Sequence, residues 1–283
     1  MQIPREILYP TMSNNHASLF SNTGSRPRIQ SVGRIAAILE ALRTAPSGVL
    51  QLHEIARACG LVKTTAFTLV DSLVCVGLVD REALGGYRLG LRNLAFGREV
   101  ERHLDVAALA RPALLRLCAL TRETVNLAVA RPLEAFIVES FEGSHNLRVS
   151  SYAGTSARYH STACGRALLA FQAPAVIESF YRLGRFERFT EHTIVTANAL
   201  DAALADCRSR GWVVEREENE VGASCIAAPV FIGGVVQAAI SIAAPAARLE
   251  EAQTKQFAEM LLSEIASIES SRATTLRAAP RAM

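Results

Sequence analysis

The sequence predicts an α+β protein in two parts: a winged helix-turn-helix, then a linker helix leading into a larger α+β domain built on an antiparallel sheet. Three observations predict it. Residues 51–77 place two short, apolar-striped helices on either side of Gly60. Residues 78–89 follow as strand, Gly85-Gly86 turn and strand, the pattern of a small hairpin. Residues 122–250 then alternate strand-like and helix-like stretches.

Taken in order, residues 1–28 hold Pro, Ser, Asn, Thr and Gly without periodicity and read as a disordered tail. The first helix is predicted over Ser31–Thr44, with Val32, Ile35, Ala36, Leu39 and Leu42 as its buried stripe. Pro46-Ser47-Gly48 ends it. The next helix runs through Leu52, Ile55 and Ala56 to Gly60, a residue that tolerates positive φ. Ala66, Leu69, Val70, Leu73 and Val76 line one face of the helix after it. Its other face offers Lys63, Thr64, Thr65, Phe67, Thr68, Asp71 and Ser72. That is the face a helix-turn-helix turns into a DNA major groove. An αα-hairpin within an enzyme would fit residues 51–77 alone. The hairpin behind them favours a wing, on which Arg81 and Arg88 are placed to grip phosphates. The unit spans residues 29–92 and is only mildly basic, with Arg34, Arg43, Arg57, Lys63, Arg81, Arg88 and Arg92 against Glu40, Glu54, Asp71, Asp80 and Glu82.

Residues 93–108 read as a linker helix and 109–272 as the second domain, with a loose tail over 273–283. Gly97 and the step at Leu104-Asp105 weaken the helical stretch, and Pro112 is expected to start or kink a helix. Strands are predicted at Thr124–Ala130, Ala135–Phe141, Leu147–Tyr152, Trp212–Glu217, Ser224–Ile232 and Val235–Ile242. Helices are predicted at Ala163–Gln172, Ala173–Leu183, from the Thr196 cap to Gly211, and at Glu250–Ser270. His160-Ser161-Thr162 sits just before a helix start, where free N–H groups and the helix dipole favour an anion.

Composition bounds the rest. At 283 residues the chain suits two domains, and its net charge of +3 neither demands nor excludes nucleic acid. No apolar run is long enough to span a membrane and the N-terminus is not a signal peptide, so a cytoplasmic protein without a membrane partner is expected. Cys59, Cys75, Cys118, Cys164, Cys207 and Cys225 form no CxxC pair. They read as reduced thiols, and neither a metal nor a cofactor is expected.

Six stretches carry a family resemblance: SVGRIAAILEAL, EIARACGLVKTTAFTLVDSLVCVGLVDR, GGYRLGLRNLAFG, ARPALLRLCALTRETVNLAV, HSTACGRALLAF and EREENEVGASCIAAPVF. With these the chain resembles the IclR family of bacterial transcriptional regulators over about residues 29–272. The resemblance implies that the second domain is a GAF-like sensor of a small molecule. It also implies a homodimer or homotetramer on a double-stranded operator. It places the effector between Ser161, Thr162, Ala163, Cys164 and Gly165 on one side and Glu215, Cys225 and Ser241 on the other, with Leu147 and Val149 as an apolar wall. The expected effector is a small organic or aromatic acid. The chain departs from the family where Val62 replaces a usual Pro, where Phe67 and Thr68 replace basic residues, and where Ala243 replaces a Ser. Thr and Phe contact thymine methyls, so A·T-rich half-sites are expected. Two rival readings stand beside this one. In the first, the second domain only oligomerises. In the second, Cys164 or Cys225 acts with His160 as nucleophile and base of a hydrolase.

Overall fold

The computed structural model describes residues 27–83, 85–102 and 105–278. All but Pro27 and Arg28 of the predicted N-terminal tail lies outside the described residues, as do residues 279–283. The chain divides into two compact units that part between residues 103 and 104.

The first unit runs α1 (Gln30–Thr44), α2 (Leu52–Ala58), α3 (Lys63–Cys75), β1 (Val79–Arg81), β2 (Tyr87–Leu89) and α4 (Arg92–Arg102). Ile38, Leu42, Ile55, Val70, Leu73, Val79 and Tyr87 form its core. The buried edge of α1 passes through Ile38 and Leu42, so Val32, predicted inside, is exposed. The α2–α3 bend of 109° is that of a helix-turn-helix. Gly60 makes it possible, because φ there is +62°, a conformation a side chain would strain. At the start of α2 the Glu54 carboxylate accepts the Gln51 N–H at 2.8 Å, satisfying a donor the helix cannot. Val76, predicted on the buried face of α3, is instead its C-terminal cap and is exposed. The wing hairpin pairs Val79 with Leu89 and Arg81 with Tyr87, and Leu50 bridges to Tyr87.

The second unit runs α5 (Asp105–Thr121), β3 (Thr124–Ala130), β4 (Glu134–Phe141), β5 (Ser156–Arg158), α6 (Ala163–Leu169), α7 (Pro174–Leu183), α8 (Ala197–Arg210), β6 (Val213–Arg216), β7 (Ala223–Ile232), β8 (Val235–Pro245) and α9 (Glu251–Ala278). Its strands form one antiparallel sheet in the order β5-β4-β3-β8-β7-β6. Alternation along each strand sorts the side chains onto two faces. Val125, Leu127, Ile226, Ile240 and Ile242 pack with Leu114, Leu117, Leu261 and Ile265 of α5 and α9. Ala128, Val213, Ala227 and Ala239 face the other way, against Ala163, Ala167 and Leu168 of α6 and Leu200 and Leu204 of α8. Each fully buried Leu or Ile in these layers contributes about 1.5–3 kcal/mol relative to exposure.

Several expectations are corrected. Leu147–Tyr152 is not a strand; the third strand of the second unit is β5. Side chains rather than a ladder hold the segment, since the Thr124 hydroxyl donates to Val149 O at 2.6 Å and that of Ser140 to Ser151 O at 2.8 Å. The linker helix is α4, described over Arg92–Arg102, while residues 105–108 belong to α5. Of the two expectations for Pro112, a helix start is not met, since the residue sits inside α5. The predicted C-terminal tail continues α9 as helix to Ala278. No single helix among the described residues is long and apolar enough to cross a membrane.

Candidate functional site

Two surfaces carry the predicted functional residues, one on each unit. On the first, Lys63, Thr64, Phe67, Thr68 and Ser72 of α3 are exposed, while Thr65 turns partly inward. The N-cap of α3 is Val62, which supplies no side-chain acceptor. The N–H groups of the first turn are thus open to an outside acceptor such as a phosphate. Lys63 occupies the first helical position. A cation there opposes the helix dipole, so its placement adds nothing to the stability of α3.

The wing arginines are exposed but engaged. Arg88 bridges to Glu82 at 2.9 Å and to Asp80 at 4.0 Å, and Arg81 reaches Asp71 on α3 at 3.6 Å. The sequence placed both as free grips for phosphate. Exposed pairs of this kind are worth roughly 0–1 kcal/mol, so a phosphate can displace the carboxylates at small cost.

On the second unit, register brings the polar candidates together. Glu215 pairs with Cys225 and Cys225 with Ala243, which pairs with Thr124. In the next row Ala227 pairs with Ser241 and Ser241 with Asn126, which pairs with Ser140. The result is a strip of small and polar side chains across a sheet face that is otherwise apolar. Asn126 and Ser140, joined at 2.7 Å, belong to the strip but were not among the predicted residues. Their signal was the alternation Thr124-Val125-Asn126-Leu127, whose polar members share one face.

α6 lies over this strip with all seven residues buried. Thr162 caps it, accepting from the Gly165 N–H at 3.1 Å and donating to Arg158 O at 2.7 Å. Its hydroxyl is therefore spent on structure. Gly165 is structural too, because a Cβ there would lie 2.3 Å from Arg158 O. Ser161 is fully buried and donates to Asn219 Oδ1 at 3.0 Å. The Glu215 carboxylate accepts from the backbone N–H groups of Glu218 and Asn219. Burial nevertheless pushes Glu215 up to about 7. Burial likewise raises the thiols of Cys164 and Cys225, and the Ser241 hydroxyl bonded to Cys225 only partly offsets this. Leu147, expected as a wall of the pocket, is 71% exposed and does not form one.

Arg166 was not predicted either. It is 2% exposed and holds Glu218 with two bonds of 3.0 and 2.9 Å. This pair ties Glu218 to α6, Ser161 ties Asn219 to the turn before α6, and the Glu215 bonds hold both residues to β6. The His160 ring bonds to Glu187 O at 2.9 Å and packs near Phe186 and Phe189. A cleft of about 450 Å³ lined by Arg210, Trp212, Val214, Arg216, Glu251, Thr254 and Lys255 lies elsewhere. It borders the opposite face of β6 from Glu215, and its Arg210 and Lys255 are paired with Asp206 and Glu251.

Comparison with known proteins decides the family. Residues 31–83 match the IclR helix-turn-helix domain, and residues 99–269 match the family described as bacterial transcriptional regulator IclR C-terminal. The chain belongs to the IclR family. Among its curated relatives are the regulator XynR of Escherichia coli, 31% identical over 83% of this chain and 94% of that protein, and the repressor AllR of Escherichia coli, 32% identical over 78% and 82%. An IclR homolog of Microbacterium hydrocarbonoxydans, solved in complex with 4-hydroxybenzoate, has a TM-score of 0.72 at 26% identity, covering 88% of this chain and 100% of that one. This IclR-family chain is thus a ligand-responsive DNA-binding transcriptional regulator, with an N-terminal helix-turn-helix unit and a C-terminal α+β effector-binding unit.

Proposed function

We propose that the second unit holds a small organic or aromatic acid between residues 160–165 and the strip of Glu215, Cys225 and Ser241. The observation that carries this is the strip itself. A buried sheet face that could have been wholly apolar instead lines up hydroxyl, thiol, amide and carboxyl groups beneath a helix. These groups find partners within the unit, and a polar ligand can exchange with those partners or use the acceptor positions left over. The complex of the Microbacterium relative with 4-hydroxybenzoate supports the ligand class. In the first unit, α3 and the wing are the operator surface: Lys63, Thr64, Phe67, Thr68 and Ser72 at the groove, with Thr65 at its flank and Arg81 and Arg88 at the backbone.

The domain limits read from the sequence, 29–92 and 109–272 with a connecting helix between, belong to this reading. So does a homodimer or homotetramer, because one recognition helix covers only a few base pairs. The exposed Leu94, Phe96 and Val100 of α4 offer it an apolar surface. We assign no catalytic step: neither buried thiol favours its thiolate, and His160 is bonded to a backbone carbonyl. A cytoplasmic protein fits this role.

Titration calorimetry and thermal shift with 4-hydroxybenzoate and related carboxylic acids test the pocket. Binding to the native state raises Tm. Cys225→Leu is expected to fill the pocket and abolish the ligand response while leaving duplex binding intact. Wild-type ligand affinity in that variant would make Cys225 a core residue only.

A further inference from the structure

The outward chemistry of α3 is unusual for a helix that enters a DNA groove, and it narrows what that helix can read. Phe67, a residue that burial would favour, is 48% exposed on this face. Its neighbours on the same surface are Thr64 and Thr68, one turn before it and one residue after. Two hydroxyls on this face are turned back onto the helix. Thr68 Oγ1 donates to Thr64 O at 3.1 Å, and Ser72 Oγ donates to Thr68 O at 2.7 Å. With its donor spent, Thr68 offers its methyl branch outward. Asp71, the acid on this face, is drawn toward Arg81 of the wing. Lys63 stands at the end of the helix, more than a turn from Asp71. The centre of the reading face is therefore a phenyl ring flanked by threonine.

Such a surface cannot recognise a base by bidentate hydrogen bonds. The one apolar group a base pair presents in the major groove is the C5-methyl of thymine. From this we infer that Phe67 is the specificity-determining residue of α3 and that it reads a thymine methyl in each operator half-site. The inference rests on the operator surface proposed above.

The test begins by selecting duplexes from a random library with the full-length chain. Each thymine of the selected duplex is then replaced singly by deoxyuridine, which removes the methyl and leaves base pairing unchanged. For the wild type, replacement at one position per half-site is expected to weaken binding about fourfold, the effect of one buried methyl group. Deoxycytidine paired with guanine at that position should bind more weakly still, and 5-methyldeoxycytidine should recover part of the loss. In Phe67→Ala the deoxyuridine effect should vanish while the salt dependence, set by phosphate contacts, stays unchanged. Phe67 lies on the surface, so this variant keeps the core intact. A flat deoxyuridine series in the wild type overturns the inference, as does an undiminished series in Phe67→Ala. A selection that enriches no duplex overturns the operator surface beneath it as well.

Discussion

Arg166→Ala is expected to destabilise the second unit by about 3–5 kcal/mol, the usual cost of removing one partner from a buried ion pair. The guanidinium is enclosed, and it donates two bonds to Glu218 and one to Val214 O at 3.4 Å. Without it the Glu218 carboxylate, itself mostly buried, stays beside Glu215 with no cation to balance it. Glu218 also loses its tie to α6. The pair is not optimal as it stands, since Arg166 Nε is buried with no hydrogen-bond partner. Replacing both members, as in Arg166→Met with Glu218→Gln, removes the uncompensated charge and is expected to recover most of the loss. Urea unfolding of the full chain at neutral pH measures this. A loss below about 1 kcal/mol in the single variant would place the pair with exposed bridges, whose contribution is that small.

The second large effect concerns pH. Glu215 titrates near 7 in the folded chain, against an ordinary value of 4.5, because burial disfavours its charge more than the Glu218 and Asn219 N–H groups favour it. Below the ordinary value both states hold the proton, and folding loses nothing. As pH rises toward 7 the unfolded chain releases its proton first, so the native state binds more protons and stability falls. Above 7 the loss is complete, at roughly 3 kcal/mol for a shift of this size. Glu215→Gln keeps an oxygen for the two backbone N–H groups and carries no charge. It should match the wild type well below pH 4.5 and exceed its unfolding free energy by roughly that amount at pH 8. A difference between the two that does not change with pH would mean that Glu215 ionises in the folded chain as it does in water. The same group bears on the ligand. An anion bound close to Glu215 favours its protonated form, so binding near pH 7 should take up protons, which calorimetry in buffers of different ionisation enthalpy reads directly.

Much of the fold was legible because local rules govern it. Apolar positions at helical spacing marked α3 and α9, and strand-favouring composition marked β3, β4, β7 and β8. Thr196 and Gly211 bounded α8 as a cap and a left-handed terminus, with φ of +77° at Gly211. Where the reading failed, a contact distant in sequence was responsible. Leu147–Tyr152 has strand composition, but its backbone is held by the hydroxyls of Thr124 and Ser140. Val32 continues the apolar stripe of α1, yet the hairpin and α2 cover a face centred on Ile38 and Leu42.

The sequence by itself determined the two units, the helix-turn-helix with its wing, the outward Lys63, Thr64, Phe67, Thr68 and Ser72 of α3 and the polar members of each strand. All of these follow from the pitch of a helix, the pleat of a strand and the backbone freedom of glycine, which act over a few residues. Only the tertiary structure decided that Arg166 would hold Glu218 across 52 positions, that Asp71 would face Arg81, and that Asn126 and Ser140 would join the row of Ser241. Periodicity says which face a side chain takes but not what lies opposite it. Partnership between distant charges, and the pKa of a carboxyl such as Glu215, depend on distance and on exclusion of water, and neither exists until the layers have packed.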